Sequence, residues 1–292
     1  SSAASDVYKR QPVVNADGVE TGSNGNVTDE CTADTNGADG ANGADGANGG
    51  ADGEGFDIDI GCRNILFRYN YSHDNDGGGI LLCNTGGQVT LCDEDGNVRK
   101  DENGKVVIEK GRAEWSDVFI KNNVFARNGK KKGNFPALMH VAGSCENVYF
   151  ENNTVIFTDN VSQPLMTVTK WDSEYDSSSP NRFYFKNNVF LSPVPNESYL
   201  RYTYMGEDYL FLSNVYYNMS ESFAEVASDT KAFSFDPLIG IPDDAKGYEK
   251  IYDYVPGERK CSEGALLLKG RNLYDAAGNK VTGRRYFGAI VA

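Results

Sequence analysis

An asparagine closes one short, strand-like segment after another, and this repeat constrains the fold more than any other feature of the chain. The segments are Cys62 to Asn70 (CRNILFRYN), Trp115 to Asn123 (WSDVFIKNN), Cys145 to Asn153 (CENVYFENN) and Pro180 to Asn188 (PNRFYFKNN), with a weaker copy, DYLFLSN, ending at Asn214. The closing asparagines stand 53, 30, 35 and 26 residues apart. A fixed segment at unequal spacing describes a solenoid whose coils carry loops of different length.

A second strand family precedes the first: Phe56 to Ile60 (FDIDI), Ile80 to Cys83, Leu138 to Val141 and Leu165 to Val168. Each coil therefore has at least two short strands. Phe56, Ile58 and Ile60 alternate with Asp57 and Asp59, so one side of that strand packs inward and the other faces out. Asparagine at a recurring corner suits the αL or bridge conformation of a tight turn, and stacked amides can hydrogen-bond along the ladder. Helical amphipathic stretches are scarce, which removes alternating βαβ folds, and a two-sheet sandwich would not repeat one corner residue coil after coil. The expectation is an all-β chain, a single-stranded right-handed parallel β-helix with loop and hairpin insertions.

The chain has 292 residues, 39% of them hydrophobic, with 32 glycines, enough apolar material for a long, thin core. A net charge of −14 with two histidines disfavours nucleic acid and anionic membrane as partners, because both require a basic face. No apolar run is long enough to predict a membrane span. A neutral or cation-bridged ligand fits better, and the chain is expected to be a monomer. Six cysteines without a CxxC pair suggest burial as small hydrophobes. Cys62 and Cys145 fall on equivalent corners two coils apart, roughly 10 Å, too far to bridge.

Residues 1–11 (SSAASDVYKRQ) resemble a translated sequencing-adapter tail, so they are set aside and the chain is expected to be an N-terminally truncated fragment, its signal peptide not included. Residues 12–54 form a low-complexity Gly/Asp-rich loop region, and 55–292 the β-helix domain. Asp95-Gly96 and Asn103-Gly104 predict a hairpin insertion over about 86–113, and residues 235–292 a C-terminal capping segment.

The NNVF and ENNTV turns, with Phe235 to Leu238 (FDPL), Gly270 to Gly278 (GRNLYDAAG) and Arg284 to Ala289 (RRYFGA), resemble the pectate-lyase-like β-helix superfamily. That resemblance covers roughly Gly55 to the end. It implies a secreted or cell-surface, carbohydrate-active protein of pectin-lyase fold, and leaves the reaction open.

Aligning the second strand family by its offset from the corners predicts one outward column of Asp57, Leu82, His140 and Thr167, with Asp59, Asn84, Ala142 and Thr169 beside it. Lys170 and Trp171 follow at the edge of the fourth coil. His73, Asp74 and Asp76 crowd a glycine-rich turn, and both histidines are expected on or beside the same face. A glycoside hydrolase would use Asp57 and Asp59 as acid and base: about 6.6 Å between Cα atoms two residues apart suits inversion, which needs roughly 6.5 to 9.5 Å between carboxyl groups. His73, His140, Asn84, Thr167, Thr169, Lys170 and Trp171 would then bind substrate, and no cofactor is required. A polysaccharide lyase would instead hold Ca²⁺ on Asp74 and Asp76 and abstract a proton with a basic residue, Lys170 being the nearest. A non-catalytic glycan binder or adhesin is the third reading, and a merely solvated strand side is the ordinary alternative for Asp57 and Asp59.

Overall fold

The computed structural model describes residues 13–14, 20–22, 54–58, 62–84, 88–90, 93, 97–110, 116–130, 136–143, 145–169, 181–196, 209–219, 228–241, 251, 253–257, 265, 274–281 and 286–290. Strands β1 (Val13–Val14) and β2 (Glu20–Gly22) make a small antiparallel pair. Three parallel sheets form the body. The first contains β3 (Asp57–Ile58), β6 (Ile80–Asn84), β11 (Met139–Gly143) and β14 (Met166–Thr169). The second contains β4 (Arg63–Arg68), β9 (Ser116–Lys121), β12 (Glu146–Glu151), β15 (Asn181–Lys186) and β17 (Tyr209–Leu212). The third contains β5 (Tyr71–His73), β10 (Val124–Ala126), β13 (Thr154–Ile156), β16 (Val189–Asn196) and β18 (Val215–Met219). The chain visits first, second and third sheet in rotation, so each of the first four circuits lays one strand on each; β17 and β18 extend the second and third sheets by one further strand. No α-helix occurs among the described residues, and none is long and apolar enough to cross a membrane.

The third strand of each circuit had looked like turn sequence. It begins immediately after the corner asparagine, which turns the chain between the second and third sheets. Two neighbouring residues divide the work there. The residue before the corner takes the left-handed conformation: Tyr69 (φ 61°), Asn122 (53°), Asn152 (53°), Asn187 (53°) and Ser213 (63°). Asparagine is favoured at such φ because its short polar side chain compensates locally. The second residue builds the ladder. The backbone N–H groups of Asn70, Asn123, Asn153 and Asn188 donate to the Oδ1 atoms of Asn123, Asn153, Asn188 and Asn214 at 2.9, 3.0, 2.9 and 3.0 Å. Each of these side-chain amides also donates to the next Oδ1 at 3.0, 3.0, 3.2 and 2.9 Å. Asp229 terminates the ladder, accepting from the Asn214 backbone and side chain at 3.0 and 2.9 Å. An acid suits that end, since a terminal member needs only acceptors.

Inside, side chains from all three sheets share one core, including Ile58, Leu82, Phe67, Val118, Phe125 and Phe150. Aromatic rings stack from circuit to circuit: Phe125 to Phe150 at 5.8 Å, Phe150 to Phe185 at 5.5 Å, Phe185 to Phe211 at 4.4 Å. The outer face of the third sheet is apolar too, with Tyr71, Val124, Val189 and Val215 buried. Parts of the C-terminal segment cover it, bringing Ile239, Tyr254, Phe287 and Ala289 into a second core. Two hydrogen bonds hold the cover, one main-chain and one from a side-chain amide: Gly288 N–H donates to Asn187 O at 2.9 Å, and Asn152 Nδ2 donates to Tyr286 O at 2.7 Å. These residues therefore lie along a side of the body. Within 86–113, β7 (Gln88–Thr90) and β8 (Ile108–Lys110) pair antiparallel, and Gly104 turns at φ 78°. Cys62 is disulfide-bonded, whereas Cys83 and Cys145 are buried thiols outside any disulfide. The corner equivalence of Cys62 and Cys145 thus does not become a bridge.

Candidate functional site

On the first sheet the register runs Asp57, Leu81, His140, Thr167. Leu82 belongs to the neighbouring inward column with Ile58, Val141 and Val168, so the expected outward position is displaced by one residue. Asn84 pairs with Gly143, is buried, and does not share a column with Ala142 and Thr169; Cys83 does. Asp59, Lys170 and Trp171 lie outside the described residues.

This face is more enclosed than alternation suggests. Leu81, Cys83 and Ala142 form a small buried cluster on it, and His140 is fully buried. Asp57, Thr167 and Thr169 are half-buried. His140 is held at both ring nitrogens: Nδ1 is 3.0 Å from Glu54 Oε1, and Nε2 is 2.8 Å from Thr169 Oγ1. Both Glu54 and His140 side chains are completely enclosed. Glu54 Oε2 is buried with no hydrogen-bond partner, an unusual and costly condition for a carboxylate oxygen. Glu54 precedes β3 and carries no periodic signal, so no local pattern singles it out.

His73 belongs to β5, on the outer face of the third sheet, and so does not share a face with His140. The reason is the unrecognised third strand, which rotates the glycine-rich turn away from the first sheet. His73 Nδ1 lies 3.0 Å from Asp74 Oδ2. Arg127 grips both carboxylate oxygens of Asp74, Nε to Oδ1 at 3.0 Å and Nη2 to Oδ2 at 2.9 Å, and Lys130 Nζ approaches Oδ1 at 2.5 Å. Burial pushes the Asp74 carboxyl up, but these donors win and hold it well below the usual carboxylate range. Asp74 therefore faces cationic side chains, while Asp76 is half-buried further along the turn. Among the described residues no group of three His, Cys, Asp or Glu side chains is arranged to hold a metal ion. Asp74 and Arg127 stand at the same offset from their corner asparagines, Asn70 and Asn123, so the pairing had a sequence signal that went unused. Arg127 and Lys130 line a cleft of about 460 Å³ with Thr158, Asp159 and Asn160.

The second sheet offers a different surface. Phe119, Tyr149 and Tyr184 stack at 4.8 and 5.0 Å, nearly parallel, beside an ion ladder in which Glu151 meets Lys121 at 2.8 Å and Lys186 at 3.7 Å. Because the rings stack on one another, they present edges outward, and a sugar ring stacks on faces. Compared with known proteins, the chain matches no family model and no curated protein.

Proposed function

We propose that this chain is a right-handed parallel β-helix solenoid of the pectate-lyase-like kind, secreted, that acts on an extended glycan lying along the outer face of its first sheet. Parallel strands joined by crossovers in one sheet are right-handed in about 98% of cases, which supports the handedness. The observation that carries the functional reading is the column of Asp57, Leu81, His140 and Thr167 with Thr169 beside it, in which half-buried Asp57, Thr167 and Thr169 bring polar groups to one outer face along the direction an extended polymer would follow. Glycosidic hydrolysis is the reaction this reading favours, with Asp57 and Asp59 as the carboxylates, Thr167 and Thr169 toward the subsites, and buried His140 holding Thr169 in place. Incubation of the chain and of Asp57→Asn and Asp59→Asn with a glycan panel, followed by reducing-end release, tests it. Release by the parent that both variants retain in full sinks the assignment, and binding without release by any of them leaves a glycan-binding β-helix.

A further inference from the structure

We propose that Thr169, His140 and Glu54 form a nucleophilic relay that hydrolyses carboxylic esters, the acyl-substituted sugars of a decorated glycan being the substrate class. The ester chemistry stands on the geometry of these three side chains; the glycan part rests on the reading above.

The three residues arrive from distant points, 86 and 29 positions apart, and meet in one line. With Glu54 ionised, its Oε1 accepts the Nδ1–H of His140 at 3.0 Å. That fixes the tautomer in which Nε2 carries a lone pair, directed at the Thr169 hydroxyl 2.8 Å away. Enclosure of Glu54 and His140 shields the carboxylate–imidazole pair from bulk water, while Thr169, at the other end of the line, is half-buried, so that ester and then water approach Nε2 from the Thr169 side. A nucleophile hydrogen-bonded to a base that is oriented by a third group is the arrangement activated hydroxyls require. A purely structural tie accounts for the two hydrogen bonds. It does not account for a buried carboxylate whose second oxygen is left without a partner; a carboxylate placed to stabilise a transient imidazolium does.

In the reaction, Thr169 Oγ1 attacks the ester carbonyl carbon as His140 Nε2 takes the hydroxyl proton. The tetrahedral adduct collapses, its C–O bond to the alcohol breaks, and the imidazolium returns the proton to the departing alkoxide. Water, deprotonated by the same nitrogen, then cleaves the acyl-threonine to carboxylic acid and free enzyme. Glu54 acts as a positioning residue.

The test uses the full chain with p-nitrophenyl acetate, acetylated xylan and an alkyl phosphonate probe. Expected are turnover of the model ester, a phosphonyl adduct mapped to Thr169, a loss of about 10³-fold or more in Thr169→Ala, and retained activity in Thr169→Ser. Glu54→Gln is expected to lower kcat by roughly 10²-fold or more with KM unchanged, a split that a structural role would not produce. A folded parent, shown by its circular dichroism, that hydrolyses the model ester no faster than Thr169→Ala overturns the relay. Turnover of the model ester without deacetylation of xylan supports the relay and overturns its glycan assignment.

Discussion

Asn153→Ala tests the ladder at its centre. The side chain is fully buried and takes part in four hydrogen bonds: its Oδ1 accepts from Asn123 N–H and Nδ2, both at 3.0 Å, and its Nδ2 donates to Ile120 O at 2.9 Å and Asn188 Oδ1 at 3.2 Å. Truncation keeps the Asn153 backbone donation to Asn188 but leaves two Asn123 donors orphaned where no water reaches. Each orphaned buried group costs about 1–3 kcal/mol, so with the small cavity the loss is roughly 3–6 kcal/mol. Against a usual total of about 5–15 kcal/mol this is large. Asn152→Ala is the control. It gives up the left-handed preference at φ 53° and the bond to Tyr286 O, together about 1–2 kcal/mol. Urea titrations followed by circular dichroism, comparing midpoints at matched slope, measure both. A loss below about 1 kcal/mol in Asn153→Ala, or equal losses in the two variants, would refute the division of labour between the paired corner residues.

Three further outcomes follow from the same packing. Asp74 has its folded-state pKa depressed, so the stability it contributes is present above its unfolded value near ~3.9 and is lost as pH falls below it. Urea midpoints recorded from pH 6 down to pH 2 should therefore drop more steeply for the parent than for Asp74→Asn, and parallel curves would count against the cluster. Gly129→Ala should cost at least ~2 kcal/mol, because Gly129 sits at φ 80° and an added Cβ would press on Pro136 O and come within 2.6 Å of Gln163 Nε2; an unchanged melting temperature would contradict this. Reduction of the Cys62 disulfide should cost about 2–4 kcal/mol, whereas Cys145→Ala in oxidised protein should leave the disulfide intact, as thiol counting before and after dithiothreitol will show.

The parallel sheets were legible in the sequence wherever alternation had a phase. Phe56 and Ile58 around Asp57 oriented β3 correctly. In β6 the run Ile80-Leu81-Leu82-Cys83 is apolar at every position, so nothing in it says which residues face inward, and the outward position went to Leu82 in place of Leu81. A one-residue slip flips every side chain, and it carried Asn84 into a column it does not occupy. The third sheet was missed because its strands are mostly three residues long and start directly after an asparagine, where turn chemistry dominates local sequence. His73 was consequently assigned to the wrong face. His140 and Thr169 were legible as members of one polar face, but Glu54 was not, since its role depends on a chain approach that no local pattern encodes.

The ladder explains why such remote residues can meet. The interval from Asn70 to Asn123 includes the β7–β8 hairpin and spans 53 residues, yet its corner hydrogen bond measures 2.9 Å, against 3.0 Å across the 26 residues from Asn188 to Asn214. Loop length is therefore decoupled from register, as expected when closing a longer flexible loop adds only about 0.6 kcal/mol per doubling. Asp74 meets Arg127 across the same 53-residue interval because both occupy one offset from the corner, and Glu54 meets His140 across 86 because the first sheet stacks their circuits. Core and corner positions are committed to apolar side chains and asparagine. Chemistry is thereby confined to outward columns, and of the three outer faces one is sealed by C-terminal residues and one presents stacked ring edges. The first sheet is the face on which a carboxylate, an imidazole and a hydroxyl are brought into line.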